Sequence, residues 1–125
     1  VNVESGLRGE AHLVVGADDT ARAMRSGSVE VLATPRLVAL LEEATCAAIS
    51  GLLDVGQTTV AMRVQIDHMQ PTPVGGEVTA EATLERIEGR RLTFTVSASD
   101  ARGLVAAGKV TRVLVDVERF MNKCH

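Results

Sequence analysis

Thr34-Pro35-Arg36-Leu37-Val38-Ala39-Leu40-Leu41-Glu42-Glu43-Ala44 is the stretch that decides the fold of this 125-residue chain. Thr is favoured just outside the first turn of a helix, so Thr34 is expected as the cap. Pro is tolerated at the first helical position because its missing N–H would have no partner there. Further on, Leu37, Val38, Leu41, Ala44, Thr45, Ala48 and Leu52 recur at spacings of three and four. That periodicity predicts a helix from Thr34 to about Leu53, roughly 27–29 Å long. Ala39, Leu40, Ala47 and Ile49 make it apolar nearly all round, which predicts burial on most sides. Glu42 is the exception, since a carboxylate on an apolar helix is costly unless hydrogen-bonded or placed at a wet cleft. Glu43, about 100° further round, is the alternative for the solvent-facing acid.

The segments around this helix read differently. Leu7, Ala11, Leu13 and Val15 alternate weakly, as in a strand. Asp18-Asp19-Thr20 is expected to open a short helical stretch to Met24, which Ser26-Gly27-Ser28 breaks. After Gln57 the chain reads as antiparallel strand. Val60 to Gln70 ends at Pro71-Thr72-Pro73-Val74-Gly75-Gly76, where the prolines cannot donate ladder hydrogen bonds. Val78, Ala80, Ala82 and Leu84 alternate with polar residues, Glu88-Gly89-Arg90 turns, and Leu92, Phe94, Val96 and Ala98 alternate again. Ala101-Arg102-Gly103 makes a second turn into a long strand from Leu104 to Val117. Its apolar phase changes near Gly108, as at a bulge. Glu118 to Lys123 is expected to be a short terminal helix.

One long buried helix followed by three or four long antiparallel strands is an α+β layout, with the sheet curled around the helix. Residues 1–125 suffice for one domain and not for two. With no Trp, no Tyr and two Phe, the core must be aliphatic, and a sheet with an open edge gains from pairing with a second copy. A dimer, or a dimer of dimers, is therefore expected. The net charge of −3 and the lack of a basic stripe argue against nucleic acid. Cys46, mid-helix, is expected at or near the core, and neither it nor Cys124 has metal-site spacing. The first residues lack an apolar leader and no stretch is apolar enough to span a membrane, so the chain reads as soluble and cytoplasmic.

Four stretches, in their order and spacing, carry a family likeness. They are Leu32-Ala33-Thr34-Pro35 with Leu40-Leu41-Glu42-Glu43-Ala44, Thr59-Val60-Ala61 ahead of His68, His68-Met69-Gln70-Pro71-Thr72-Pro73-Val74-Gly75, and Glu88-Gly89-Arg90-Arg91-Leu92-Thr93-Phe94. Together they resemble the fluoroacetyl-CoA thioesterase-like branch of the hotdog-fold thioesterases, from about residue 12 to Lys123. The resemblance implies hydrolysis of a small or medium acyl-CoA without metal or other cofactor, at sites between subunits. It places the catalytic residues at Thr34, Glu42 and His68, with substrate contacts at Pro35, Val60 and Ala61. Ala61 stands where the family usually has Gly, and Gly108-Lys109-Val110 stands where relatives often read Gly-Thr-His. No aromatic residue precedes Phe94, so an aromatic lid ahead of the main helix is absent. A non-hydrolytic acyl-CoA or acyl-carrier-protein binding module is the alternative that these departures suggest.

The three candidate residues make an acyl-transfer set, in which Glu42 either attacks the thioester carbonyl or activates a water while His68 moves protons. Thr34 and Glu42 are eight residues apart, hence ~12 Å along a helix and about 80° out of phase. The two cannot meet as regular helix neighbours. A site lined by two subunits is the expectation. Arg63, Arg90, Arg91 and Lys109 are candidate contacts for the CoA phosphates.

Overall fold

The computed structural model describes residues 3–125. Strand β1 (Arg8–Val14) leads through a 3-10 turn at Ala17–Asp19 to helix α1 (Thr34–Ala48). Strands β2 (Gln57–His68), β3 (Glu77–Glu88), β4 (Arg91–Asp100) and β5 (Gly103–Asp116) follow, and α2 (Val117–Asn122) ends the chain. All pairings are antiparallel, in the order β1-β3-β4-β5-β2. The α+β architecture expected from the sequence is present: one main helix wrapped by one curved sheet.

Alternation explains which face the sheet turns to α1. Val78, Ala80, Ala82 and Leu84 of β3 are buried, as are Leu92, Phe94, Val96 and Ala98 of β4. Leu37, Leu40, Leu41, Ala44 and Ala48 of α1 close over them in one apolar cluster. Each large aliphatic side chain fully buried there contributes about 1.5–3 kcal/mol. Small residues let the layers approach. A Cβ at Gly9 would collide with the α1 backbone at Ala44 and Ala48, so β1 crosses directly against the helix.

Several boundaries differ from the expectation, each for a local reason. The helix ends at Ala48 rather than near Leu53, because Ser50-Gly51 forms a turn with Gly51 at φ 78°. Thr34 is not the cap. Ala33 holds that position with an extended backbone and takes the first helical bond from the Leu37 N–H at 3.0 Å, so Thr34 and Pro35 are the first two helical residues. The predicted helix from Asp18 to Met24 shortens to the 3-10 turn, where Asp19 Oδ2 accepts from the Gly16 N–H at 2.8 Å. In the single chain α1 is not buried all round, since Ala39, Glu43, Cys46 and Ala47 are exposed. Cys46 thus lies outside the core, on the stripe of the helix that the sheet does not cover.

Gly108 is not a bulge. It pairs in register with Ile66 on one side and Val96 on the other. A Cβ there would run into the backbone of Gln65 and lie 2.7 Å from Ile66 Cα. The change of phase arises three residues earlier, where Val105 is the extra residue between Ala106, opposite Ala98, and Leu104, opposite Ser99. The register shifts fall elsewhere: between Ala61 and Arg63 on β2, between Leu84 and Arg86 on β3, and next to Val105 on β5.

Candidate active site

The structure divides the three predicted catalytic residues into two groups. Thr34, at the start of α1, meets His68, at the end of β2, with Thr34 Oγ1 2.8 Å from His68 Nδ1. With the ring proton on Nε2, the hydroxyl donates to Nδ1; with the proton on Nδ1, the hydroxyl accepts. His68 Nε2 is buried and has no hydrogen-bond partner among the described residues. Burial holds the His68 pKa below 6.5, and the backbone at Gln70 opposes that shift more weakly. A neutral imidazole therefore prevails near pH 7. A cavity of about 250 Å3 opens beside this pair, lined also by Ala21, Ser26, Val31, Leu32 and Met69.

Glu42 lies elsewhere, two turns along α1, with its Oε1 3.5 Å from Arg112 Nη1. Arg112 is 6% exposed, so its charge needs partners. Its Nε donates to Thr59 Oγ1 at 2.8 Å and its Nη2 to the Thr59 carbonyl at 2.9 Å. Those bonds fix the guanidinium plane and aim its remaining nitrogen at the carboxylate. Glu42 keeps a third of its side chain exposed. It is a charge at a rim, anchored from below, and the burial problem read in the sequence is solved by Arg112. Glu43 is the solvent-facing neighbour, 3.6 Å from Arg36.

Sequence reading missed Arg112, although a signal was available. Arg112 sits two residues after Val110 on an alternating strand, so it points to the same apolar face. An arginine on that face demands a carboxylate or carbonyl opposite it. Of the predicted substrate contacts, Pro35 is exposed in the first turn of α1. Ala61 is exposed and pairs in register with Arg112, and Val60 is half-buried on the other face of β2.

A bulge links the two groups. Thr59 and His68 are nine residues apart, an odd spacing that on a regular strand sends side chains to opposite faces. The extra residue at Met62 reverses the alternation. Thr59, Val64, Ile66 and His68 consequently all face α1, Val64 and Ile66 against the core. Among the described residues, no strand pairs with the outer edge of β2, and no group of three or more His, Cys, Asp or Glu is placed to hold a metal ion. No described helix is long and apolar enough to cross a membrane.

Comparison with known proteins agrees with this geometry. The family model of the fluoroacetyl-CoA-specific thioesterases (FlK) matches residues 15–118. The fluoroacetyl-CoA thioesterase of Streptantibioticus cattleyicolor is 35% identical over 94 residues, covering 75% of this chain and 68% of that protein. A solved structure of the fluoroacetyl-CoA thioesterase FlK superposes with a TM-score of 0.93 at 30% identity, over 99% of this chain and 96% of the other. An FlK variant in complex with acetyl-CoA superposes at 0.91, also at 30% identity, over 98% and 96% of the two chains. With its helix-wrapping sheet, this chain belongs to the fluoroacetyl-CoA-specific thioesterase family and is a thioester hydrolase of the hotdog fold.

Proposed function

We propose that the protein is a homodimeric acyl-CoA thioesterase for small or medium acyl groups, whose site combines Thr34 and His68 of one subunit with Glu42 of the partner subunit. The observation that carries this reading is the separation within one chain. Glu42 stands eight residues of helix from Thr34, ~12 Å along α1, and is anchored through Arg112 on Thr59, nine residues of strand from His68. Antiparallel pairing of two β2 edges about a twofold axis near Arg63 and Val64 sets His68 opposite Thr59 of the partner subunit. The bulge at Met62 gives both side chains the same face. A twelve-residue strand with one free edge favours such pairing.

In the assembled site the acyl group occupies the cavity beside Thr34 and His68, which lacks an aromatic lid. The start of α1, where first-turn N–H groups have no helical acceptors, offers positive potential to the developing oxyanion. Glu42 removes a proton from water as it attacks the carbonyl carbon, or it attacks that carbon itself to form an anhydride that water then opens. With Nδ1–H donating to Thr34, the free Nε2 of neutral His68 takes the proton that Glu42 removed from water. His68 passes it to the thiolate as the C–S bond breaks, giving the free acid and CoA. In the anhydride route the water that opens the anhydride supplies that proton. Thr34 holds the imidazole through Nδ1, leaving Nε2 directed to the reacting groups. Arg112 positions Glu42.

A free-thiol release assay over a series of acyl-CoAs, run on the wild type and Glu42→Gln, tests this. Hydrolysis by the wild type and loss by about 10²–10⁴-fold in the variant is the expected result. Undiminished turnover by Glu42→Gln would remove Glu42 from the chemistry. Single turnover in ¹⁸O-labelled water separates the two routes, since label enters Glu42 only when the carboxylate is the nucleophile.

A further inference from the structure

The sequence contains two aromatic rings, and they are placed very differently. Phe94 is fully buried in the core. Phe120 is half-buried on α2, in a groove of about 180 Å3 floored by Val113, Leu114 and Val115 of β5. Three cations surround that floor: Arg90 from the β3–β4 turn, and Arg119 and Lys123 from the end of the chain. The turn is held in place, because the Leu114 N–H donates to the Arg90 carbonyl at 2.8 Å. All three cationic side chains are exposed, and none has an ion-pair or hydrogen-bond partner among the described residues. Asp116 is the one acid in the lining. Its Oδ1 accepts from the Arg119 backbone N–H at 3.1 Å, so it caps α2. The groove thus combines an apolar floor, the half-buried Phe120 ring and an excess of two positive charges.

That combination fits an anion with a flat ring body rather than a plain ion or a lipid chain. A ring stacks on Phe120 while phosphates meet the Arg and Lys side chains. We propose that the groove binds the 3′-phosphoadenosine diphosphate end of the coenzyme A thioester, an assignment that rests on the acyl-CoA reading above. Its position suits that role. Asp116 pairs with Gln57 at the end of the β2–β5 ladder nearest Thr59, and Arg112 lies four residues back along β5, roughly 13 Å away. Val113 and Val115 face away from Arg112. A ligand seated in the groove therefore reaches the Glu42 side by passing an extended arm around the end of that ladder, and the pantetheine arm of coenzyme A is such an arm.

The test uses the full chain and two probes. Adenosine 3′,5′-bisphosphate is titrated calorimetrically into the wild type, Arg119→Ala/Lys123→Ala and Phe120→Ala. Hydrolysis is then measured for an acyl-CoA and for the same acyl group on pantetheine. The expected result is nucleotide binding that weakens with salt and drops roughly tenfold or more in the double variant. KM for the acyl-CoA should rise by a similar factor, with kcat unchanged and acyl-pantetheine hydrolysis unaffected. Wild type that binds no nucleotide, or variants that bind it as well as wild type, would overturn the assignment. Nucleotide binding that the variants lose while KM for acyl-CoA stays constant would overturn it too, showing a separate nucleotide site. Because pantetheine thioesters lack the nucleotide, wild type inactive on both thioesters indicts the hydrolase reading and not the groove. The substituted residues are exposed or half-exposed, and circular dichroism of Arg90→Glu, a third variant on the fixed turn, provides a control on folding with the same expected loss.

Discussion

Thr34 Oγ1 lies 2.8 Å from His68 Nδ1, joining the first residue of the main helix to the last residue of the edge strand across 34 positions of sequence. Ala33 holds the cap position with backbone alone, and the Thr34 hydroxyl, in the first turn of the helix, meets the imidazole instead of a backbone N–H. Thr34→Ala should lower kcat by about tenfold or more while changing stability by less than about 1 kcal/mol, as no cap bond is lost. Thr34→Ser, which keeps the oxygen, should recover most of the rate. Steady-state kinetics beside urea denaturation check both halves of the expectation.

His68 carries a pH signature. Burial lowers its pKa below 6.5, so the folded protein binds that proton less readily than the unfolded chain does. The stability it contributes is complete above 6.5 and is lost as pH falls through the lower, folded-state value. Activity should decline over the same acidic limb, because an imidazole that is already protonated cannot take up the proton it must relay. Denaturation midpoints between about pH 5 and 7.5 should slope upward in the wild type and flatten in His68→Gln. An unchanged slope in the variant would assign the effect to another group.

Arg112 is a positioning residue, and its removal should act on both stability and rate. Arg112→Met leaves the Thr59 carbonyl and hydroxyl without their donors and Glu42 without its cation. The expected loss is about 2 kcal/mol, at the lower end for a broken buried pair because a third of Glu42 is in water. Without that anchor the carboxylate loses its fixed position, and the kcat profile should fall by about tenfold or more at every pH. Arg112→Lys keeps the charge without the planar fork, and should restore the rate profile more than the stability. Urea midpoints and kcat against pH distinguish these outcomes.

The fold was readable where one residue's environment repeats. Alternation in β3 and β4 and the three-four spacing in α1 announced both periods, and the core they predict is the core observed. The ends were not, because helix termination depends on which local turn wins. Ser50-Gly51 ended α1 before the apolar pattern ran out. The site was half readable for a related reason: Thr34, Glu42 and His68 stand out by type, but their grouping depends on one extra residue at Met62. A bulge reverses every side chain beyond it and leaves no compositional mark. The bulge read near Gly108 lies three residues earlier, at Val105, since the strand pattern shows that the alternation shifts but not at which residue.

Gly108→Ala tests the close approach of β5 to β2. The added methyl would meet the Gln65 and Ile66 backbone, which cannot swing aside as a side chain would. Overpacking of this kind should cost about 3 kcal/mol or more. It should also loosen β2 selectively, as β2 is joined to the sheet through β5 alone. Hydrogen exchange should therefore rise first at the β2–β5 ladder, with β3 and β4 still protected.

The proposed two-subunit site predicts that two dead variants can make one live enzyme. His68→Ala and Glu42→Gln should each be nearly inactive as homodimers. After unfolding and refolding of an equal mixture, half the dimers carry one chain of each kind. In those, one site receives both substitutions and the other receives neither. About a quarter of the wild-type rate should therefore return. If all catalytic residues came from a single chain, every site in the mixture would still lack one of them, and no activity would reappear. The Gln65 backbone faces Gly108 of β5, so Val64 directs its N–H to the free edge of β2; Val64→Pro should abolish the recovery by preventing pairing, with sedimentation reporting monomers.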